Sequence, residues 1–298
     1  MEKIPLALRI GKSIPLPLRK RAFQGLAATC YYLISRHRLI TLHNLHLAFP
    51  EKSMGEIRRL ALGAYRNLGT VMAEFFDLPW ITKENIGKWV EFEGLEHFHA
   101  ARAQGKGVLA SVGHFGNWEL MAIAFAVAVE PIVIMYRPLD NAYLNRIVEY
   151  VRSRPGNLLF PKEGSLRKII RLLKENKILG ILNDQNVDTR EGVFVDFFQR
   201  PACTGIGLAA LALHTGAPIL PVYMPRLPDG RYRFIFLPPF TAENTGDYNR
   251  DLLANTQRVT KILEDMIRQY PDQWLWLHQR WKTKKCQQES SDGNLEAG

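Results

Sequence analysis

Gly107-Val108-Leu109-Ala110-Ser111-Val112-Gly113-His114-Phe115-Gly116-Asn117-Trp118-Glu119-Leu120 sets an apolar run, a histidine bracketed by glycines and the start of a second apolar run in succession. The run 107–112 reads as a short buried strand, and Asn117 is a good N-cap for an apolar helix over 118–129. On one continuous helix His114 and Glu119 would stand roughly 140° apart around the axis. They can cooperate only if His114 lies in the strand-to-helix turn and Glu119 in the first helical turn. Gly113 and Gly116 let that turn bend tightly and leave room for a substrate. A carboxylate that accepts the proton of one imidazole nitrogen fixes the tautomer and makes the other nitrogen a stronger base. The plainer alternative is that Glu119 complements the helix dipole and His114 packs or caps.

Outward from this stretch the texture is alternating strand and helix. Strands are predicted at 108–112, 132–136, 158–160, 178–183, 219–224 and 232–237. Helices are predicted at 118–129, 141–152, 165–175, 205–214 and 249–269. This pattern gives an α/β class with a mainly parallel central sheet covered by helices on both faces. Residues 1–100 read as helical, with an amphipathic segment over 55–76 that carries Ile57, Leu60, Ala61, Ala64, Leu68, Val71 and Phe75 at helical spacing. The expected organisation is an N-terminal helical, membrane-associating region (1–100), an α/β core (101–285) and a disordered polar tail (286–298).

Sites in such sheets gather beyond the carboxyl ends of strands. His114, Arg137, the segment 161–164, Asp184-Gln185 and Arg226 are therefore expected to converge. A guanidinium at the end of an apolar strand is costly unless it meets an anion. Arg137 accordingly reads either as an anion ligand or as an ion-pair partner of Asp184 or Glu119. Asp184-Gln185 reads as a supporting pair, since neither a second carboxylate cluster nor a glycine-rich phosphate cradle accompanies it.

The chain has 298 residues, 47% of them hydrophobic, enough for one large domain. Cys30, Cys203 and Cys286 are few and far apart, which argues against a disulfide framework or a zinc site and for a reducing environment. The formal net charge is +10, and residues 1–40 hold eight Lys or Arg against Glu2 alone. Because these charges are interleaved with apolar residues, they fit an anionic bilayer surface better than nucleic acid. No segment reaches the roughly 20 apolar residues that span a membrane. The expectation is peripheral attachment at a cytoplasmic leaflet.

Several blocks in order extend the reading: Asn44-Leu45-His46-Leu47-Ala48-Phe49-Pro50-Glu51, Gly113-His114-Phe115-Gly116-Asn117-Trp118-Glu119, Tyr136-Arg137-Pro138, Asp184-Gln185, Val195-Asp196-Phe197-Phe198, Thr215-Gly216-Ala217-Pro218-Ile219-Leu220-Pro221-Val222 and Trp274-Leu275-Trp276-Leu277-His278-Gln279-Arg280-Trp281-Lys282. With these the chain resembles the bacterial lipid A late acyltransferases, within the lysophospholipid acyltransferase superfamily.

The resemblance implies that His114 removes a proton from an acceptor hydroxyl while Glu119 orients it, and that the oxygen attacks a fatty acyl thioester directly. It implies an acyl carrier protein as donor, a phosphorylated glucosamine lipid as acceptor, and no metal or redox cofactor. Backbone N–H groups near Gly113 or at the Asn117 helix start would bind the oxyanion, and Arg137 and Arg154 would hold phosphate or carrier groups. Attachment at the inner membrane, peripheral or through the N-terminus, goes with it. Other branches acylate different glycolipids or lysophospholipids. A rival of another class is a non-catalytic basic protein bound to a lipid surface. A serine hydrolase is disfavoured because no Gly-x-Ser-x-Gly elbow surrounds Ser111, Ser153 or Ser165.

Overall fold

The computed structural model describes residues 4–162 and 164–284, so the tail expected at 286–298 lies outside the described residues. Three helices lead the chain: α1 (Leu6–Ser13), α2 (Leu16–Leu33) and α3 (Ser35–Ala48). A longer helix, α4 (Met54–Phe75), follows; it begins at a capping box in which Ser53 and Glu56 satisfy each other's backbone N–H groups. The stripe expected over 55–76 is buried at Ile57, Ala61, Ala64 and Val71. α2 and α4 approach closely because Gly69 has no side chain; a Cβ there would lie 2.6 Å from the Phe23 carbonyl oxygen.

Part of the basic N-terminus is spent inside the fold. Arg19 is buried, ion-paired with Asp77, and donates to the Gly11 carbonyl at 2.6 Å; Lys12 joins the same carboxylate. Lys20 pairs with the buried Glu74 at 2.7 Å. These three cations hold α1 and α2 onto the end of α4, while Arg9, Arg21 and Arg36 are exposed. Among the described residues no helix is long and apolar enough to cross a membrane.

The rest of the chain runs β1 (Val90–Glu93), α5 (Leu95–Arg102), β2 (Val108–Val112), α6 (Trp118–Ala128), β3 (Val133–Tyr136), α7 (Ala142–Ser153), β4 (Leu158–Pro161), α8 (Leu166–Lys174) and β5 (Ile178–Leu182). It continues through β6 (Gly192–Phe197), β7 (Arg200–Gly205), α9 (Gly207–Thr215), β8 (Ile219–Tyr223), β9 (Tyr232–Phe236) and α10 (Tyr248–Gln269). Seven strands form one sheet in the order β1-β9-β8-β2-β5-β3-β4. All its ladders are parallel except β8 against β9. The mainly parallel sheet and the six strands read from the sequence are present within one or two residues of their expected bounds.

Two features differ from expectation. The sheet begins before residue 100, since β1 lies in the region read as helical and pairs with β9. Four residues carry too little periodicity to announce a strand, and only the pairing of Val90 with Tyr232 makes them one. The antiparallel pair β6 and β7 was also not anticipated; it packs beside the sheet and against α10.

One irregularity prepares the site. The β3–β5 ladder stops at Ile134 opposite Gly180, although the strands continue to Tyr136 and Leu182. Past that point the two strands part, and the gap between them opens into a cavity. β2 and β5, by contrast, stay in register to Val112 opposite Leu182.

Candidate active site

That register decides which residues meet. His114 stands two positions beyond the last paired residue of β2, and Asp184 two positions beyond its partner on β5. Equal offsets on adjacent parallel strands put the side chains face to face. The His114 Nδ1 lies 2.9 Å from Asp184 Oδ1, while Asp184 Oδ2 accepts the His114 backbone N–H at 2.8 Å. Oδ2 also accepts the indole N–H of Trp274 at 2.8 Å. Gly113 makes this contact feasible, because a Cβ there would lie 3.4 Å from Asp184 Oδ2 and 2.9 Å from the Leu263 side chain.

Asp184 is buried, and burial alone would raise its pKa. The His114 charge and the hydrogen bonds from His114 and Trp274 outweigh that and bring it down to about 2. For His114, burial pulls the pKa down, but the Asp184 carboxylate, helped by the charge of Glu119, carries it above its ordinary value of 6.5. With Nδ1 committed to Asp184, the ring nitrogen left to a substrate is Nε2. His114 lines the cavity, so that nitrogen has somewhere to act.

The carboxylate on the imidazole is therefore Asp184 and not Glu119. Glu119 occupies the first turn of α6, as expected, and lines the same cavity. Its two oxygens are held by Arg152 of α7 in a two-pronged pair, with N···O distances of 2.9 and 2.5 Å. The helix start turns Glu119 toward α7, whereas β5 delivers Asp184 directly beneath the histidine. Nothing in the local sequence singles out Arg152 among the arginines that follow the second expected strand.

The other expected residues divide. Arg137 and Gln185 line the cavity, and so does Lys162 of the segment 161–164. Arg137 is exposed, with Asp140 3.5 Å away, and pairs with neither Asp184 nor Glu119. Arg154 points elsewhere and donates to the Pro79 carbonyl at 2.8 Å. Arg226 is likewise turned away, toward Asn67 and Gln273.

Asn117 caps α6 by accepting the Leu120 N–H at 3.0 Å, and its amide donates to the buried Glu74 at 2.7 Å. It is fully buried, so its side chain anchors the helix and does not face the cavity. In the same turn the N–H groups of His114, Phe115 and Gly116 are bonded to Asp184, Gly113 and Gln273. Those three N–H groups are spent, so an oxyanion ligand drawn from this turn would come from the helix start beyond them or from Gly113 before them.

A C-terminal strap closes the site from behind. Leu275 N–H donates to the His114 carbonyl at 3.0 Å, and His278 Nε2 accepts the Asn186 N–H at 2.8 Å. Burial lowers the pKa of His278, in keeping with a neutral ring that accepts this bond. The tryptophan-rich block 274–281 carried a visible signal, three indoles in eight residues. The sequence did not say that one of them reaches Asp184.

The cavity holds about 1290 Å³. It runs from His114, Glu119 and Arg152 past Met121 and Phe125 on one side and Ile170 and Leu211 on the other. A polar mouth with a catalytic-type His–Asp pair leading into a long apolar interior suits a molecule with a reactive head and a hydrocarbon chain.

Comparison with known proteins places this geometry in context. A family model described as bacterial lipid A biosynthesis acyltransferase matches residues 6–283. The chain is 30% identical to the lipid A biosynthesis lauroyltransferase of Escherichia coli K12 over 274 residues, 91% of this chain and 87% of the relative. It is 28% identical to the palmitoleoyltransferase of the same pathway and organism over 276 residues, 91% of this chain and 88% of the relative. It is also 27% identical to a phosphatidylinositol mannoside acyltransferase of Mycobacterium tuberculosis over 235 residues, 74% of this chain and 70% of the relative.

Proposed function

The chain belongs to the bacterial lipid A biosynthesis acyltransferase family and is an acyltransferase, and from that premise we propose that it moves a fatty acyl chain from acyl carrier protein to a hydroxyl of a phosphorylated glucosamine lipid. The single observation that carries the chemistry is the His114–Asp184 pair at the mouth of an apolar cavity.

In the proposed reaction His114 Nε2 takes the proton of the acceptor hydroxyl as that oxygen attacks the thioester carbonyl. Asp184, which accepts the Nδ1 proton, stabilises the resulting imidazolium. The tetrahedral oxyanion collapses and expels the thiolate, which takes the proton back from Nε2. One C–O bond forms, one C–S bond breaks, and the imidazole returns to its starting state. The helix dipole of α6 and the Arg152 guanidinium supply positive potential at the same mouth. Glu119 holds Arg152 in place and adds a second negative charge near the imidazolium.

Purified His114→Ala is expected to lose transfer by about 10²-fold or more, the share a general base contributes, while remaining folded. Mass spectrometry of lipid products from radiolabelled or isotopic acyl donor measures this. A variant that kept wild-type turnover would remove His114 from the reaction. Full activity in a reaction that accumulated an acyl-serine would replace direct transfer with an acyl-enzyme.

Gly180 lines the cavity where β3 parts from β5, and a Cβ there would find its nearest neighbour at 3.7 Å, so a side chain can grow into the open space. Gly180→Leu is expected to shift the preferred donor toward chains shorter by about two methylenes, since each excluded CH₂ forfeits about 0.8 kcal/mol of burial. Competition between donors of graded length measures the shift. An unchanged preference would place the chain elsewhere.

The reading puts the protein on the cytoplasmic face of the inner membrane. It is supported by the exposed Leu6, Leu18, Leu26, Leu33 and Leu39 on α1–α3, interspersed with the exposed Arg9, Arg21 and Arg36. Apolar side chains that reach beyond a cationic surface suit the headgroup region of an anionic bilayer.

A further inference from the structure

A second cationic surface has a different composition. Residues 162–177 carry Lys162, Arg167, Lys168, Arg171, Lys174 and Lys177 against Glu163 and Glu175. On α8 the spacing sorts them: Arg167, Arg171 and Lys174 fall within about 60° of one another around the axis, with Lys168 flanking them. All four are exposed, Arg171 at 82% with Glu175 as its neighbour one turn on. The opposite face sends Ile169 and Leu173 into the core, and Ile169 and Ile170 also line the acyl cavity. α8 is thus a wall one helix thick, with hydrocarbon space on one side and a stripe of positive charge on the other.

The rim completes the arrangement. Lys162, just past β4, and Leu166, at the first position of α8, both line the cavity at the end of that wall. The stripe therefore leads along α8 to the opening that contains His114.

We propose that the cationic face of α8 is the docking surface for the acidic protein that carries the acyl thioester. This inference rests on the carrier-protein donor proposed above and adds where that donor sits. Charge complementarity selects the occupant: a stripe of four cations around a stem of buried isoleucine and leucine matches an acidic helical surface. The bilayer is a poorer match, because beyond Leu166 at its cavity end every exposed residue of α8 is charged, whereas α1–α3 mix exposed leucines with their arginines along their length. A carrier seated on α8 needs only to pass its flexible arm over Leu166 to bring the thioester to His114. Lys162 then stands beside the path of the phosphodiester that joins such an arm to its protein.

The test uses the full-length protein with Arg167, Arg171 and Lys174 all replaced by Glu, and the charge-preserving variant with both arginines replaced by Lys. Transfer is followed at varied acyl carrier protein concentration with detergent-dispersed acceptor. Binding to vesicles of phosphatidylethanolamine and phosphatidylglycerol is measured in parallel. The triple reversal is expected to raise KM for the acyl carrier protein about 10-fold or more while kcat at saturation stays within about 2-fold, because rim charge acts on encounter. The lysine variant keeps the wild-type KM, the wild-type KM itself climbs with salt, and vesicle binding does not change. An unaltered KM in the triple variant overturns the docking surface and leaves the donor assignment standing. Loss of vesicle binding with an unaltered KM overturns it in favour of a lipid-facing role for α8. Wild-type protein that transfers from acyl coenzyme A and not from acyl carrier protein overturns the donor reading and this inference together.

Discussion

Asp184→Asn is expected to lower kcat by about 10³- to 10⁴-fold with the protein still folded. The reason is the tautomer. The Asp184 Oδ2 accepts two N–H groups, from the His114 backbone and the Trp274 indole, so an asparagine keeps both bonds only by placing its carbonyl oxygen there. Its amide NH₂ then faces His114 Nδ1 and donates to it. The imidazole proton moves to Nε2, and the nitrogen that takes a proton in the proposed reaction already holds one.

The pH profile separates this account from a general loss of structure. In the proposed reaction His114 works only when neutral, so kcat/KM is expected to rise with pH through the pKa of His114, which Asp184 holds above 6.5. Removing the carboxylate's charge lowers that pKa, and the residual activity of the variant should have its acidic limb at lower pH than wild type. Glu119→Gln is the comparison, because Glu119 contributes a smaller charge effect and no bond to the ring. A profile displaced by Glu119→Gln and unmoved by Asp184→Asn would return the orienting role to Glu119.

Gly116→Ala is expected to destabilise the fold by about 3 kcal/mol or more, seen as a lowered thermal or denaturant midpoint. Gly116 sits at φ +60°, and a Cβ there would stand 1.9 Å from the Met224 carbonyl oxygen. Backbone at the end of β8 would have to move, and it is itself tied to Gly116 through Gln273, which accepts the Gly116 N–H and bonds Arg226. Gly105→Ala supplies the control. That residue has φ +71° and nothing within 4 Å of a Cβ, so it should cost only the left-handed conformation, about 1–2 kcal/mol. Equal losses in the two variants would show that the contact with Met224 relaxes freely.

The two predictions also mark how far the chain could be read. The strand, the glycine-flanked turn and the capped helix of 107–128 were legible because each is local: apolar run, Asn117 cap and Glu119 in the first turn all lie within one stretch. The apolar stripe of α4 and the alternation of strands and helices from 108 onward were legible for the same reason, since periodicity is a property of neighbours in sequence. β1 was not, because four residues become a strand only when β9 is beside them.

What local sequence determined was that His114 would stand at the carboxyl end of a strand, poised in a turn before a helix. Which carboxylate would meet it was decided by the tertiary structure. Glu119 is five residues away and Asp184 seventy, yet the crossover through β3 and β4 returns β5 to the side of β2, in register, so the distant acid arrives and the near one is turned by its helix toward Arg152. Chain separation sets what a residue's pattern can announce, but strand order sets what its side chain touches.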